Sequence, residues 1–153
     1  MTTATSADDV ISILGLIRHP EGGYYREIYR DAAADDSRGL VTSIYYLLRA
    51  GDPDRWHRHD AQEIWCHHAG SPVEVSVWVE DRPVQKYRLS SELTAGDRPQ
   101  VIIPAGAWQS AETLGEYSLV GCVVAPAFQF ASFEMTPEGW SPDTGCSKLM
   151  SVS

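Results

Sequence analysis

The stretch Gly51 to Gly70, GDPDRWHRHDAQEIWCHHAG, sets two histidines and a glutamate between two glycines, and the chain can be read outward from it. Along an extended strand side chains alternate between faces, so His57 and His59 project together while Arg58 points the other way. Asp60, Ala61 and Gln62 then turn the chain and Glu63 opens the next strand. The expected arrangement is a hairpin that brings the Glu63 carboxylate beside the two imidazoles. Two neutral imidazole nitrogens and one carboxylate on one face, with positions left open, suit a catalytic divalent metal.

Upstream, Ser6 is placed to cap a short helix, with Asp8 and Asp9 in its first turn, Val10, Ile11 and Leu14 at helical spacing and Gly15 as its stop. Pro20 and the pair Gly22-Gly23 make a turn before a strand from Tyr24 to Tyr29, on which Arg26 shares a face with Tyr24 and Ile28. Asp31 to Arg38 reads as a polar loop, and Leu40 to Leu48, LVTSIYYLL, as an apolar strand. Downstream, Val73, Val75, Val77 and Val79 alternate with Glu74, Ser76 and Trp78, the period of a half-buried strand. Val84 to Leu89 returns as its hairpin partner. Gly96 to Gln100 is a loop, Val101 to Ile103 a short strand, and Pro104 to Gly106 a tight turn delivering Trp108 and Gln109. Leu119 to Val124 is the last clear apolar strand, and Ala127 to Met135 an edge strand or closing segment carrying Phe128, Phe130 and Phe133. Many short strands with Gly and Pro turns, after one helix, predict an all-β antiparallel jelly-roll barrel.

The 153 residues suffice for one domain with its own core, the ends, 1–5 and 137–153, being peripheral tails. Neither a signal peptide nor an apolar run of membrane-spanning length is read, so a cytoplasmic protein with no membrane partner is expected. The net charge of -9 repels a phosphate backbone and argues against nucleic acid. Cys66, Cys122 and Cys146 lack close pairing and are read as reduced thiols.

The opening stretch meets the first signature of the cupin superfamily, G-x5-H-x-H-x3-E-x6-G, at Gly51, His57, His59, Glu63 and Gly70. A chance match is on the order of one in 10^5 per chain. The second signature is met by Gly96, Pro104 and Gly106, but Gln109 stands where its histidine would be. The chain also resembles one small, largely uncharacterised cupin family that carries an epimerase-like label. The resembling residues are HPEGGYYRE at His19 to Glu27, SIYYLL at Ser43 to Leu48, WHRHDAQEIWCHHAG at Trp56 to Gly70, DRPQVIIPAGAWQSA at Asp97 to Ala111 and LVGCVVAPAFQFASFEM at Leu119 to Met135. The resemblance implies a double-stranded β-helix with a deep central pocket, and a homodimer. In that family the place of His59 is often not histidine, so the full His-x-His favours metal in this chain.

The expected site therefore has one divalent transition metal (Fe, Mn, Ni, Co or Zn) on His57, His59 and Glu63. Gln109 serves as fourth ligand or as an orienter of a metal-bound water. His67, on the Glu63 face of its strand, is either a catalytic base or a satisfied core histidine. Tyr24, Arg26, Trp65 and Trp108 are the expected substrate-pocket residues. Three functions follow: a metal enzyme of dioxygenase or lyase/isomerase type acting on a small polar molecule; a metal-independent sugar epimerase-like isomerase with His57 or His67 as base and Tyr46 returning a proton; and a non-catalytic small-ligand-binding module.

Overall fold

The computed structural model describes residues 5–31 and 37–143, so most of the expected loop after Asp31, the tail beyond Asp143 and Cys146 lie outside the described residues. Helix α1 (Ala7–Leu14) begins at Ser6, whose hydroxyl accepts from the Asp9 amide while the Asp9 carboxylate accepts from the Ser6 amide, both at 3.1 Å. Such a reciprocal box is worth about 1 kcal/mol. The strands that follow are β1 (Ile17–Arg18), β2 (Tyr24–Arg30), β3 (Thr42–Arg49), β4 (Asp54–Arg58), β5 (Gln62–Gly70), β6 (Val73–Trp78), β7 (Gln85–Leu89), β8 (Gln100–Ile103), β9 (Trp108–Thr113), β10 (Tyr117–Ala125) and β11 (Glu134–Met135).

They form two antiparallel sheets, one ordered β1-β2-β3-β10-β5-β8 and the other β11-β4-β9-β6-β7. The inner faces meet in one core, to which the first sheet gives Tyr46, Leu48, Trp65 and Val120 and the second gives Val73, Val75, Val77 and Ala111. The all-β jelly-roll expectation is met. Outside the first sheet, Ala7, Val10 and Leu16 pack on Leu47, with Tyr24 and Tyr45 beside them. Burying Val10 and Leu16 there contributes about 1.5–3 kcal/mol each.

Three readings are corrected. His57 and Glu63 do not belong to one hairpin: β4 pairs with β9 and β11, whereas β5 pairs with β10 and β8. The turn at Asp60 carries the chain from one sheet to the other, so the site lies between sheets. Trp108–Thr113, too polar to signal a strand, is the central strand β9, because it pairs with both β4 and β6. Of Ala127 to Met135 only Glu134–Met135 is strand; Phe130–Ser132 is a 3-10 turn that lets three phenylalanines gather. The β6–β7 hairpin is as expected, with Val73 opposite Leu89, although Val79 lies past its end and is exposed.

Candidate functional site

Four elements aim side chains at one point. His57 sits on β4, His59 just beyond its end, Glu63 on β5, and Gln109 on β9 directly opposite His57. The fourth element, unforeseen as part of the site, is the β1–β2 turn, which adds His19 and Glu21. Gly22 and Gly23 permit its approach, at φ 108° and 79°. A Cβ on Gly22 would collide with the Pro53 carbonyl, and one on Gly23 would lie 2.7 Å from the Leu47 carbonyl oxygen. His19, Glu21, His57, His59, Glu63 and Gln109 are all buried.

The hydrogen bonds fix how each ring presents itself. His57 Nδ1 lies 2.7 Å from the Arg55 carbonyl oxygen. A carbonyl only accepts, so Nδ1 carries the proton and Nε2 turns a lone pair inward. That lone pair faces Glu21 Oε2 at 3.2 Å. His59 is set the other way. Its Nδ1 accepts from the Ala61 amide at 3.3 Å, so Nε2 bears hydrogen and donates to Glu63 Oε1 at 2.8 Å. Trp65 Nε1 donates to Gln109 Oε1 at 3.0 Å, and Gln109 Nε2 donates to Glu63 Oε1 at 3.1 Å. An indole N–H can only donate, so it fixes the amide: Gln109 offers Glu63 its nitrogen, and its oxygen is already engaged.

Charge is unevenly distributed. Glu21, Asp54 and Glu63 are buried, and no lysine or arginine is buried among the described residues. Burial pushes the Glu21 carboxyl well above the usual carboxylate range, and the nearby Glu63 pushes it further. Asp54 is raised in the same way, by burial and then by Glu21 and Glu63, and its Oδ1 lies 3.3 Å from His57 Nδ1. Burial works against ionised Glu63 too, but the hydrogen bond from His59, with His57 and Gln109 adding, holds it below the usual range. Burial lowers His57 and His19 to about 4, leaving both neutral near pH 7. A lone pair on His57 facing a carboxyl oxygen of Glu21 needs a positive centre between them, either a proton or a metal ion. Glu21, Asp54 and His57 bring one ligand atom each within 4.8 Å of one another, a donor set that fits a divalent cation.

A cavity of ≈ 260 Å³ opens onto His19, Glu21, His57, His59 and Glu63, and Phe128, Phe130 and Phe133 line its other side. Phe133 lies 5.4 Å from the His57 ring, Phe128 5.6 Å from His59 and Phe130 6.4 Å from His19. Cys122 also lines the cavity, its thiol pKa raised by burial and by Glu63.

The other expected site residues are placed elsewhere. Tyr24 lies outside the first sheet between the guanidinium groups of Arg18 and Arg49, and Arg26 donates to the Leu14 carbonyl at 3.1 Å. Tyr25 and Glu27 are the residues of β2 that line the cavity. Trp65 stands in the core behind Gln109, and Trp108 is stacked under Arg58, 4.6 Å from its ring, and near Trp140. Tyr46 is buried with its hydroxyl donating to the Gly22 carbonyl, so it props the turn that carries Glu21. His67 Nε2 lies 3.1 Å from the Ser71 carbonyl oxygen and is not among the cavity's lining residues. The one sequence signal for His19 and Glu21 was the stretch HPEGGYYRE itself.

No helix among the described residues is long and apolar enough to cross a membrane. Residues 8–136 match the family model described as Cupin superfamily (DUF985). Protein SO0799 from Shewanella oneidensis is 40% identical, with a TM-score of 0.83 over 87% of this chain and 85% of that one. A hypothetical protein from Leishmania major is 28% identical, with a TM-score of 0.81 over 96% and 92% of the two chains. The uncharacterized protein YML079W of Saccharomyces cerevisiae is 25% identical over 82% of this chain and 73% of its own. With two facing sheets, a His-x-His-x3-Glu signature turned into the space between them and a family match over most of its length, this chain belongs to the DUF985 family of the cupin superfamily.

Proposed function

We propose that the protein binds one divalent transition metal in this cavity and acts there as an enzyme on a small molecule that enters past the phenylalanine cap. The observation that supports this is the buried charge imbalance: three carboxylates and three histidines converge with no buried lysine or arginine among the described residues to neutralise them. Burying carboxylates unpaired is strongly unfavourable, and a divalent cation is the partner that this donor set suits. His57, with its lone pair already directed inward, Glu63, and His59 after a tautomer change would hold the ion, with Glu21 as a further anionic donor from the β1–β2 turn. The ion would supply Lewis-acid or redox chemistry, and Fe, Mn, Ni, Co and Zn are all compatible with these ligands. Gln109 orients Glu63, and His19, whose Nδ1 accepts from the Glu21 amide at 3.1 Å, keeps an Nε2–H for a ligand oxygen.

Metal content and thermal stability decide the matter. Protein purified without an affinity tag should carry about one ion per chain, and a stripped sample should gain stability from at least one of the five metals, because binding to the folded state alone raises stability by mass action. No metal and no stabilisation would remove the proposal. The homodimer expected from the family is proposed as well, with Ile64 and Ile102, exposed neighbours in register on the outer face of the first sheet, supporting a second copy as the cover. Light scattering that gives a monomer mass at every micromolar concentration would overturn it.

A further inference from the structure

We infer that the ligand of this cavity is an uncharged molecule of about one ring's size, with an apolar face and a hydroxyl or carbonyl at one end, and that an anion of the same shape is rejected. The inference rests on reading the cavity as a small-molecule site, and it concerns what can enter.

Electrostatics exclude the anion. Among the described residues no lysine or arginine lines the cavity. Arg30, beside the mouth, is occupied by Glu27 through two hydrogen bonds of 2.8 Å, and Arg38 by Asp60 through bonds of 2.8 and 2.7 Å. Without metal, an entering carboxylate or phosphate would be desolvated beside ionised Glu63 with no compensating donor of opposite charge. With a divalent ion bound, the carboxylates of Glu21 and Glu63 would offset its charge, and no lysine or arginine among the described lining residues would add to the attraction for an anion. A cation fares no better in the loaded site, where it would lie beside the metal.

The walls specify the rest. The apolar lining consists of Phe128, Phe130, Phe133, Tyr25, Ile44 and Val124, of which Phe130 is exposed and Val124 buried. The three phenylalanine rings meet edge to face at 4.9, 5.8 and 5.9 Å. Phe130 nevertheless remains 54% exposed, an aromatic face at the opening that no side chain of the described residues covers. An apolar ligand face laid on it would remove that surface from water, and ring-to-ring contacts of this kind add about 0.5–1.5 kcal/mol beyond the area buried. The ≈ 260 Å³ available corresponds to roughly nine waters at ~30 Å³ each, enough for one ring and a short substituent. The imidazoles and carboxylates of His19, Glu21, His57, His59 and Glu63 are buried, whereas Glu27, the exposed polar residue of the lining, is taken up by Arg30, so the polar end of the ligand points inward.

The test compares three probes that share a ring and differ in head charge: benzyl alcohol, benzoate and benzylamine. Binding is followed by calorimetry and thermal shift on stripped and metal-loaded protein, with metal content measured separately by elemental analysis. Benzyl alcohol should bind at least about tenfold more tightly than benzoate in both samples. Phe130→Ala should weaken benzyl alcohol about fivefold or more at a temperature well below the melting temperature of the ligand-free variant, which is measured alongside because the edge-to-face contacts of this ring are lost as well. Benzoate binding as tightly as the alcohol in either sample, benzylamine binding as tightly in the metal-loaded sample, no binding of the alcohol, or an alcohol affinity indifferent to Phe130→Ala would each overturn the inference. Because the stripped protein is ranked by itself, a protein that takes up no metal would sink the metal proposal and leave this ranking standing or falling independently.

Discussion

His57 Nε2 lies 3.2 Å from Glu21 Oε2, while its Nδ1 is held by the Arg55 carbonyl 2.7 Å away. The ring cannot turn its proton inward without losing the carbonyl, so Glu21 meets a lone pair. Glu21→Gln should therefore separate stability from metal binding. In stripped protein at pH 8 the amide donates to His57 and one buried carboxyl fewer needs a proton, so the melting temperature should rise by a few degrees, about 2–4 °C for each kcal/mol at this length. Metal affinity should fall about tenfold to a hundredfold. Unchanged affinity by calorimetry would exclude Glu21 from the metal's surroundings.

The stability of stripped protein should fall as pH rises above about 6.5. Glu21 and Asp54 have folded pKa values raised above their unfolded ones, so the folded state retains protons that the unfolded chain has lost. It thus binds more protons, and stability declines with pH until the raised values are passed. His19 and His57, lowered to about 4, act in the opposite sense but only below their unfolded value near 6.5, where the unfolded chain becomes protonated first. Thermal melts with chelator from pH 6.5 to 8.5 measure the slope. Asp54→Asn should flatten it, and a flat profile in the parent protein would contradict the buried acid pair.

How far the sequence reveals the site depends on distance along the chain. His57, His59 and Glu63 were legible because strand alternation within one short stretch dictates a common face. Glu21 was not, since nothing local says that the β1–β2 turn folds against β4; that approach depends on Gly22 meeting Pro53. The parity of β2 was equally hidden. YYREIYR offers aromatics on both faces, and only the register that sets Tyr25 opposite the inward Tyr46, and Tyr24 opposite the outward Leu47, decides which face sees the cavity. The neighbouring strand could not supply the parity, because LVTSIYYLL is apolar on both sides: one face lies in the barrel and the other under α1. The phenylalanines read as part of an edge strand or closing segment, because nothing local announces the irregular turn at Phe130–Ser132 that folds them over the histidines.

Gly22→Ala should be far more damaging than an alanine on an ordinary loop. At φ 108° a Cβ is strained, and here it also meets the Pro53 carbonyl. The combined cost should exceed about 2 kcal/mol. Gly51, also at positive φ but with open space around it, is the control that carries the backbone strain without the collision. Denaturant melts of Gly22→Ala and Gly51→Ala give the difference. Equal losses would mean that the turn is free to move off Pro53, and with it Glu21.

The last prediction concerns the relay Trp65 to Gln109 to Glu63, with donor–acceptor distances of 3.0 and 3.1 Å. As the indole fixes the amide oxygen toward itself, Gln109 should act on a metal only through Glu63. Gln109→Leu should then weaken metal binding about tenfold and leave the stoichiometry at about one, whereas Glu63→Gln should abolish it, since an anionic ligand itself is lost. Trp65→Phe should reproduce the loss of Gln109→Leu, because a freed amide no longer holds Glu63. The double variant should be no worse in affinity than either single one, residues of one relay being non-additive. Both single variants should also lose about 1–3 kcal/mol of stability from a buried polar group left without its partner. The opposite outcome is equally readable. If the amide oxygen were a metal ligand, releasing it from the indole in Trp65→Phe would tighten binding, and dissociation constants measured at one pH for the four variants and the parent distinguish the two arrangements.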